Sequence, residues 1–198
     1  MSGPALLVPE LLVIGGSAGS LDVLLGALAA LPVAFSIPIV VVLHLSPTQP
    51  SLLPVLLTRA AGRPAHEAID KLRIERGAVY VAPPNYHVLV ERGGTLALSI
   101  DEPVHHCRPS IDVLFESAAD AYGAATAGLV LSGANEDGAA GLRRIRARGG
   151  LAIVEAPATA LYPTMPAAAL ASAPGAHAVP AAELGAFLAR LAGGGHAS

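Results

Sequence analysis

A serine, a histidine and an aspartate each sit just past a short apolar run in this chain, and together those side chains could carry out acyl transfer. Ser17 lies in Leu12-Val13-Ile14-Gly15-Gly16-Ser17-Ala18-Gly19-Ser20, where an apolar run stops at a glycine pair and a helical pattern begins at Leu21. Gly15-x-Ser17-x-Gly19 has the spacing of a strand-to-helix turn that raises a nucleophile. Glycines permit backbone angles closed to other residues and let a substrate approach the main chain. The following helix would aim unpaired N–H groups and its positive end at a developing oxyanion. The same turn also suits a phosphate, so by itself it leaves both readings open. His44 ends the run Ile39 to Leu43, and Asp137 follows the run Gly128 to Leu131. A nucleophile, a base and a group that orients the base are the parts of a serine hydrolase site. Finding all three at strand ends shifts the turn towards the nucleophile. The turn also lacks the Lys-Ser/Thr ending of a P-loop and a full G-x-G-x-x-G spacing.

Several elements must position these residues. Strands are predicted at 10–14, 39–43, 128–131 and 151–155; the run 39–43 is apolar without alternation, as in a strand buried on both faces, and 128–131 reads as another buried strand. Helical spacing predicts helices at 21–31, from Pro50-Ser51 to about Ala61, at 109–121, 139–148, 166–173 and 182–191. A short strand at 78–82 and two runs flanking Arg92-Gly93-Gly94 read as an antiparallel hairpin insertion at one side of the sheet. Alternating strands and helices imply an α/β fold: a doubly wound, mainly parallel sheet with helices on both faces. Ligands bind such sheets beyond the carboxyl ends of the strands, where Ser17, His44 and Asp137 fall. Their order is Ser, His, Asp, which differs from the Ser, Asp, His order of lipases and esterases. We take 1–9 as a leader, 10–192 as one domain and 193–198 as a flexible tail.

Composition narrows the function. At 198 residues the chain is long enough for one domain with a substantial core. A net charge of −3 argues against a nucleic-acid-binding face, which would be strongly basic. No apolar run is long enough to insert in a membrane, and no basic-then-apolar leader marks secretion. The single cysteine, Cys107, cannot form an internal disulfide and fits a cytoplasmic setting. His105-His106-Cys107 invites a metal reading, but adjacent residues lack the usual ligand spacing, and a plain loop is favoured. His87 reads as structural, Glu136 as solvent-facing, and Arg143, Arg144, Arg146 and Arg148 as a solvated helix face. Arg108 is divided between binding a substrate carboxylate or carbonyl and a structural ion pair. Asp137 could also cap the helix that starts at Ala139.

Six segments in order carry a family resemblance: Ile14-Gly15-Gly16-Ser17-Ala18-Gly19, Val42-Leu43-His44-Leu45-Ser46-Pro47, Val79 to His87 with its Ala82-Pro83-Pro84-Asn85, Arg108-Pro109-Ser110-Ile111-Asp112-Val113-Leu114-Phe115, Leu131 to Ala139, and Met165-Pro166. The chain resembles the catalytic domain of CheB-type protein-glutamate methylesterases from about Leu11 to Leu191. The resemblance implies a triad of Ser17, His44 and Asp137, the residues already selected at the strand ends. It implies hydrolysis of glutamate methyl esters on the cytoplasmic region of chemoreceptors, with deamidation of particular glutamines as a further activity and no metal or organic cofactor. Ala18 and Ala134 N–H groups are the candidate oxyanion donors. A stand-alone domain is expected, without the receiver domain usual in the family, so control would come from a separate response regulator or kinase. Two positions depart from the family: Ser20 replaces a glycine and Ala134 a methionine. They keep a second reading alive, a catalytically weak or inactive signalling interaction module of the same fold docking on a receptor, receiver or kinase.

Overall fold

The computed structural model describes residues 8–44 and 52–193. Its centre is a seven-stranded sheet in the order β3-β4-β2-β1-β7-β8-β9, formed by β1 (Leu11–Gly16), β2 (Ile39–Leu43), β3 (Ala65–Glu67), β4 (Val79–Val81), β7 (Thr126–Val130), β8 (Leu151–Glu155) and β9 (His177–Val179). Every neighbouring pair is parallel. A separate antiparallel pair is made by β5 (His87–Val90) and β6 (Leu96–Ser99). The helices are α1 (Leu21–Ala29), α2 (Leu53–Ala61), α3 (Ile111–Tyr122), α4 (Ala139–Ala147), α5 (Thr164–Ser172) and α6 (Leu184–Leu191).

The unbroken apolar strands are explained by burial on both sides. Along β1, Leu11 and Val13 enter a core with Leu114, Phe115, Leu142 and Ala169 of α3, α4 and α5. Leu12 and Ile14 enter the opposite core with Leu24, Leu28, Leu57 and Leu188 of α1, α2 and α6. Each fully buried Leu, Ile or Val contributes about 1.5–3 kcal/mol of transfer free energy, so a one-residue register slip would exchange two complete cores without relieving either. The expected doubly wound sheet is therefore present. Its chain order reverses direction at β1, with β2 on one side and β7 on the other, which opens the crevice at their carboxyl ends.

The differences from expectation have local causes. The 78–82 strand belongs to the parallel sheet, because β4 pairs with β2 and β3; β5 and β6 form the hairpin, and β5 packs on α3. β3 and β9 were not expected. Each has three residues, and their Ala65, His66 and Glu67 or His177, Ala178 and Val179 show no apolar run. α2 ends as expected at Gly62, whose φ of 60° suits glycine. The proposed helix opening at Pro50-Ser51 lies outside the described residues, as do Leu45-Ser46-Pro47 and most of the leader and tail.

Candidate active site

The β1–α1 turn is built by close packing. The last rung between β1 and β2 pairs Gly16 with Leu43, and the His44 N–H donates to the Gly16 carbonyl at 3.1 Å. Ser17 and His44 are therefore the next residues outward on adjacent parallel strands, whose spacing is about 4.8 Å. On the other side of Ser17, its N–H donates to the Ser132 carbonyl at 2.9 Å. Gly19 carries the turn with φ of +77°. Gly133 is required for proximity: a Cβ there would stand 3.0 Å from Ser17 Cβ and 2.6 Å from the Met165 methyl.

Ser20 is buried and turns its hydroxyl back to donate to the Ser17 carbonyl at 2.6 Å. It therefore makes no side-chain cap, and the first turn of α1 carries none. Ser20 thus ties down the serine turn. Ala18 and Ala134 are both exposed beside it, and among the described residues neither N–H donates to a protein acceptor.

Asp137 is the most heavily bonded side chain of this edge. Its Oδ2 accepts from His44 Nε2 at 2.9 Å and from the Ile111 N–H at 2.7 Å. Its Oδ1 accepts from Ser110 Oγ at 2.8 Å and from the Asp112 N–H at 3.0 Å. Burial alone would raise its pKa, but the bonds from His44, Asp112, Ile111 and Ser110 outweigh burial and hold the carboxyl below the usual aspartate range. His44 keeps 12% of its side chain exposed while Asp137 keeps none, so the ring bridges the buried acid and the solvent. With Nε2 on Asp137, Nδ1 is the other ring nitrogen, 3.7 Å from Cys107 Sγ.

The alternative reading, in which Asp137 caps the Ala139 helix, does not match this geometry. Asp137 caps α3 instead, and Asp112, on the first turn of α3, caps α4 by accepting from the Gly138 and Gly141 N–H groups at 3.0 and 2.7 Å. The two helices exchange carboxylates because Gly138, with φ of +98°, turns the chain so that Asp137 points back at α3. Burial, the largest influence, raises the Asp112 pKa against the opposing Gly141 bond.

Arg108 makes no ion pair with an acid among the described residues. Its Nη1 donates to the carbonyls of Ile100 and Asp101 at 2.8 and 3.1 Å, and its Nε is buried without a partner. It lines a cavity of about 280 Å³ with His44, Asn85, Pro103, His106, Cys107 and Pro109. His87 is structural, as expected: buried, it accepts from the Ser110 N–H at Nδ1 (3.1 Å) and donates from Nε2 to the Glu102 carbonyl (3.2 Å). Glu136 is exposed, and so is the arginine face of α4, where Arg144 and Arg148 bind Asp120 of α3.

Three supporting residues escaped sequence reasoning. Ser110 bonds Asp137 directly. Ser132 holds the serine turn through its carbonyl and through its hydroxyl, which donates to the Ala18 carbonyl at 2.8 Å and accepts from the Tyr162 N–H at 2.9 Å. Glu155, at the end of β8, accepts from the Ser132 N–H at 2.8 Å. A usable signal existed for Glu155 alone, since it is also an acid that closes an apolar run.

These side chains meet at the switch point of an α/β sheet, and comparison with known proteins gives the family. The CheB methylesterase family matches residues 12–188. A relative in Leptospira interrogans is 45% identical over 161 residues, which cover 81% of this chain and 83% of that protein. The protein-glutamate methylesterase/protein-glutamine glutaminase of Rhodopseudomonas palustris is 36% identical over 190 residues, 94% of this chain and 49% of that protein, so this chain spans about half of it. The crystal structure of the Thermotoga maritima CheB methylesterase catalytic domain has a TM-score of 0.83 at 27% identity, covering 93% of this chain and 100% of that one. The class is that of α/β carboxyl-ester hydrolases. The chain belongs to the CheB methylesterase family.

Proposed function

We propose that this chain is a protein-glutamate methylesterase that hydrolyses glutamate methyl esters on the cytoplasmic region of chemoreceptors, using Ser17, His44 and Asp137 as its triad. The observation that carries the reading is the 2.9 Å bond between His44 Nε2 and the fully buried Asp137, one strand from Ser17. In this mechanism Ser17 Oγ attacks the ester carbonyl and passes its proton to His44 Nδ1. The lowered pKa of Asp137 keeps it ionised beside the imidazolium that forms. The Ala18 and Ala134 N–H groups receive the oxyanion, where one donor is worth about a hundredfold or more in rate. His44 then protonates the departing methanol, and water, deprotonated by His44, hydrolyses the acyl-enzyme. The same sequence applied to a glutamine side chain releases ammonia, the glutaminase activity in the relative's name. Arg108 is a candidate for holding the substrate beside the cavity that it lines. A separate response regulator or kinase is the candidate source of control. The cytoplasm is the expected compartment; among the described residues no helix is long and apolar enough to cross a membrane.

The alternative, a docking module without turnover, rested on Ser20 and Ala134. The Ser20 hydroxyl reinforces the serine turn, and Ala134 is exposed beside it, which favours the catalytic reading. The test is methanol release from a methylated receptor fragment. Ser17→Ala is expected to abolish it with the fold intact; turnover equal to that of the parent would refute the triad.

A further inference from the structure

The run His105-His106-Cys107 is not absorbed by the ester chemistry, and the fold divides it. Val104 and Cys107 pair across a tight turn with two hydrogen bonds, and His105 and His106 occupy its tip with φ of 50° and 62°. His105 points away from the site, its Nε2 3.3 Å from Asp112 Oδ2. Cys107 points into it. Its Sγ lies 3.7 Å from His44 Nδ1 and accepts from Asn135 Nδ2 at 3.4 Å. Donor atoms of His44, Cys107 and Asp137 all lie within 4.8 Å of one another, although the three residues come from three separate segments.

We propose that the gap between His44 Nδ1 and Cys107 Sγ is a binding site for a soft divalent cation, Zn²⁺ by its donor chemistry, and that occupancy switches the esterase off. The span fits. Zinc bound tetrahedrally at about 2.05 Å to nitrogen and about 2.3 Å to sulfur sets those donors roughly 3.5 Å apart. The 3.7 Å found needs only a small adjustment. The partner of Nε2 fits as well. A metal-bound imidazole usually donates its second N–H to a carboxylate, which fixes the tautomer and strengthens the ligand; His44 already does so to Asp137. Imidazole and thiolate select zinc-like ions over Mg²⁺ and Ca²⁺, which require oxygen donors. His106 lines the same cavity, and water completes the shell.

Charge sets the strength of the site. Binding replaces the S–H bond by an S–Zn bond and releases that proton to solvent, with no change of oxidation state. Arg108 on the cavity wall opposes the ion, while the new thiolate and Asp137 favour it. The balance describes a reversible site. Inhibition follows because the lone pair on Nδ1 that would take the Ser17 proton is occupied by the ion. That consequence rests on the proposed triad; the binding itself does not.

The test is calorimetric titration of the full chain with zinc chloride, together with Co²⁺ absorption and esterase assays referred to each variant's own rate in chelator. Expected are one Zn²⁺ per chain with proton release, a thiolate-to-cobalt charge-transfer band in the near ultraviolet, and loss of turnover that chelator reverses. Cys107→Ser should weaken zinc binding by at least about tenfold and abolish the band. Equal zinc affinity in Cys107→Ser, or a cobalt spectrum without the sulfur band, would overturn the site. Stoichiometric binding with unchanged turnover would overturn the switch. Because affinity and spectrum are read without substrate, they stand or fall separately from the Ser17→Ala result.

Discussion

Asp137 and Glu155 both lie at the carboxyl edge of the sheet with no exposed surface, yet Asp137 collects four donors and Glu155 collects one. Oε1 of Glu155 is buried without a partner among the described residues. The consequence is opposite charge behaviour. Burial raises the pKa of Glu155 against the single Ser132 bond, whereas at Asp137 the bonds overcome burial and lower it. Depth in a protein therefore does not decide whether an acid is charged; the donors that neighbouring backbone can aim at it do. Asp137 meets the N-terminus of α3, where N–H groups lack intrahelical partners. Glu155 meets one strand-end amide.

The largest effect expected from this contrast is at Asp137. Asp137→Asn should lower kcat by about three to four orders of magnitude, by analogy with loss of the orienting acid in serine hydrolases. It should also lower stability by about 3 kcal/mol, since it strands donors aimed at a charge; urea unfolding reads this. The stability that Asp137 contributes is present above the ordinary aspartate pKa and is lost as the pH falls through its lowered value, a dependence that the variant should lack. A variant with near-parental turnover would break the assignment of this acid.

An intermediate effect is expected at Asp112. Asp112→Ala removes both caps of α4 and should cost about 1–2 kcal/mol, while kcat falls far less than in Asp137→Asn. Equal losses of activity in the two would show that helix docking alone, and not the His44 bond, makes Asp137 important.

The smallest effect is expected at Glu155. Its raised pKa means that the folded protein holds the proton more tightly than the unfolded chain. That contribution is complete below the ordinary glutamate pKa and is lost as the pH rises through the raised value. Glu155→Gln avoids the loss, so its melting temperature should gain on the parent by a few degrees as pH rises, with little gain in acid. A constant offset across pH would mean that Glu155 does not change charge.

The sequence made the triad candidates legible because each follows a run whose lack of alternation marks a doubly buried strand, and parallel sheets collect strand ends along one edge. The same logic read to its end would have found Glu155. β3 and β9 were hidden because three-residue edge strands need no apolar run. Ser110, Ser132 and the true target of Asp137 were hidden because their partners lie far away in the chain: Ser132 meets Ala18, and Asp137 meets Ser110. Capping rules look to the next helix, and here Gly138 redirected the acid to the previous one.

The exchanged caps of α3 and α4 also bear on what an aspartate at this position signifies. Asp137 terminates a helix that presses Ile111 against Gly15, where even a Cβ would come within 2.2 Å of the side chain. A descendant of this chain that abandoned ester hydrolysis would still have a structural reason to retain Asp137. Ser17, by contrast, holds its turn through main-chain groups, through its N–H to Ser132 and its carbonyl from Ser20. Its hydroxyl is free to be lost once the chemistry is no longer selected. Among related sequences, the serine is therefore the better witness to activity, and the aspartate the better witness to the fold.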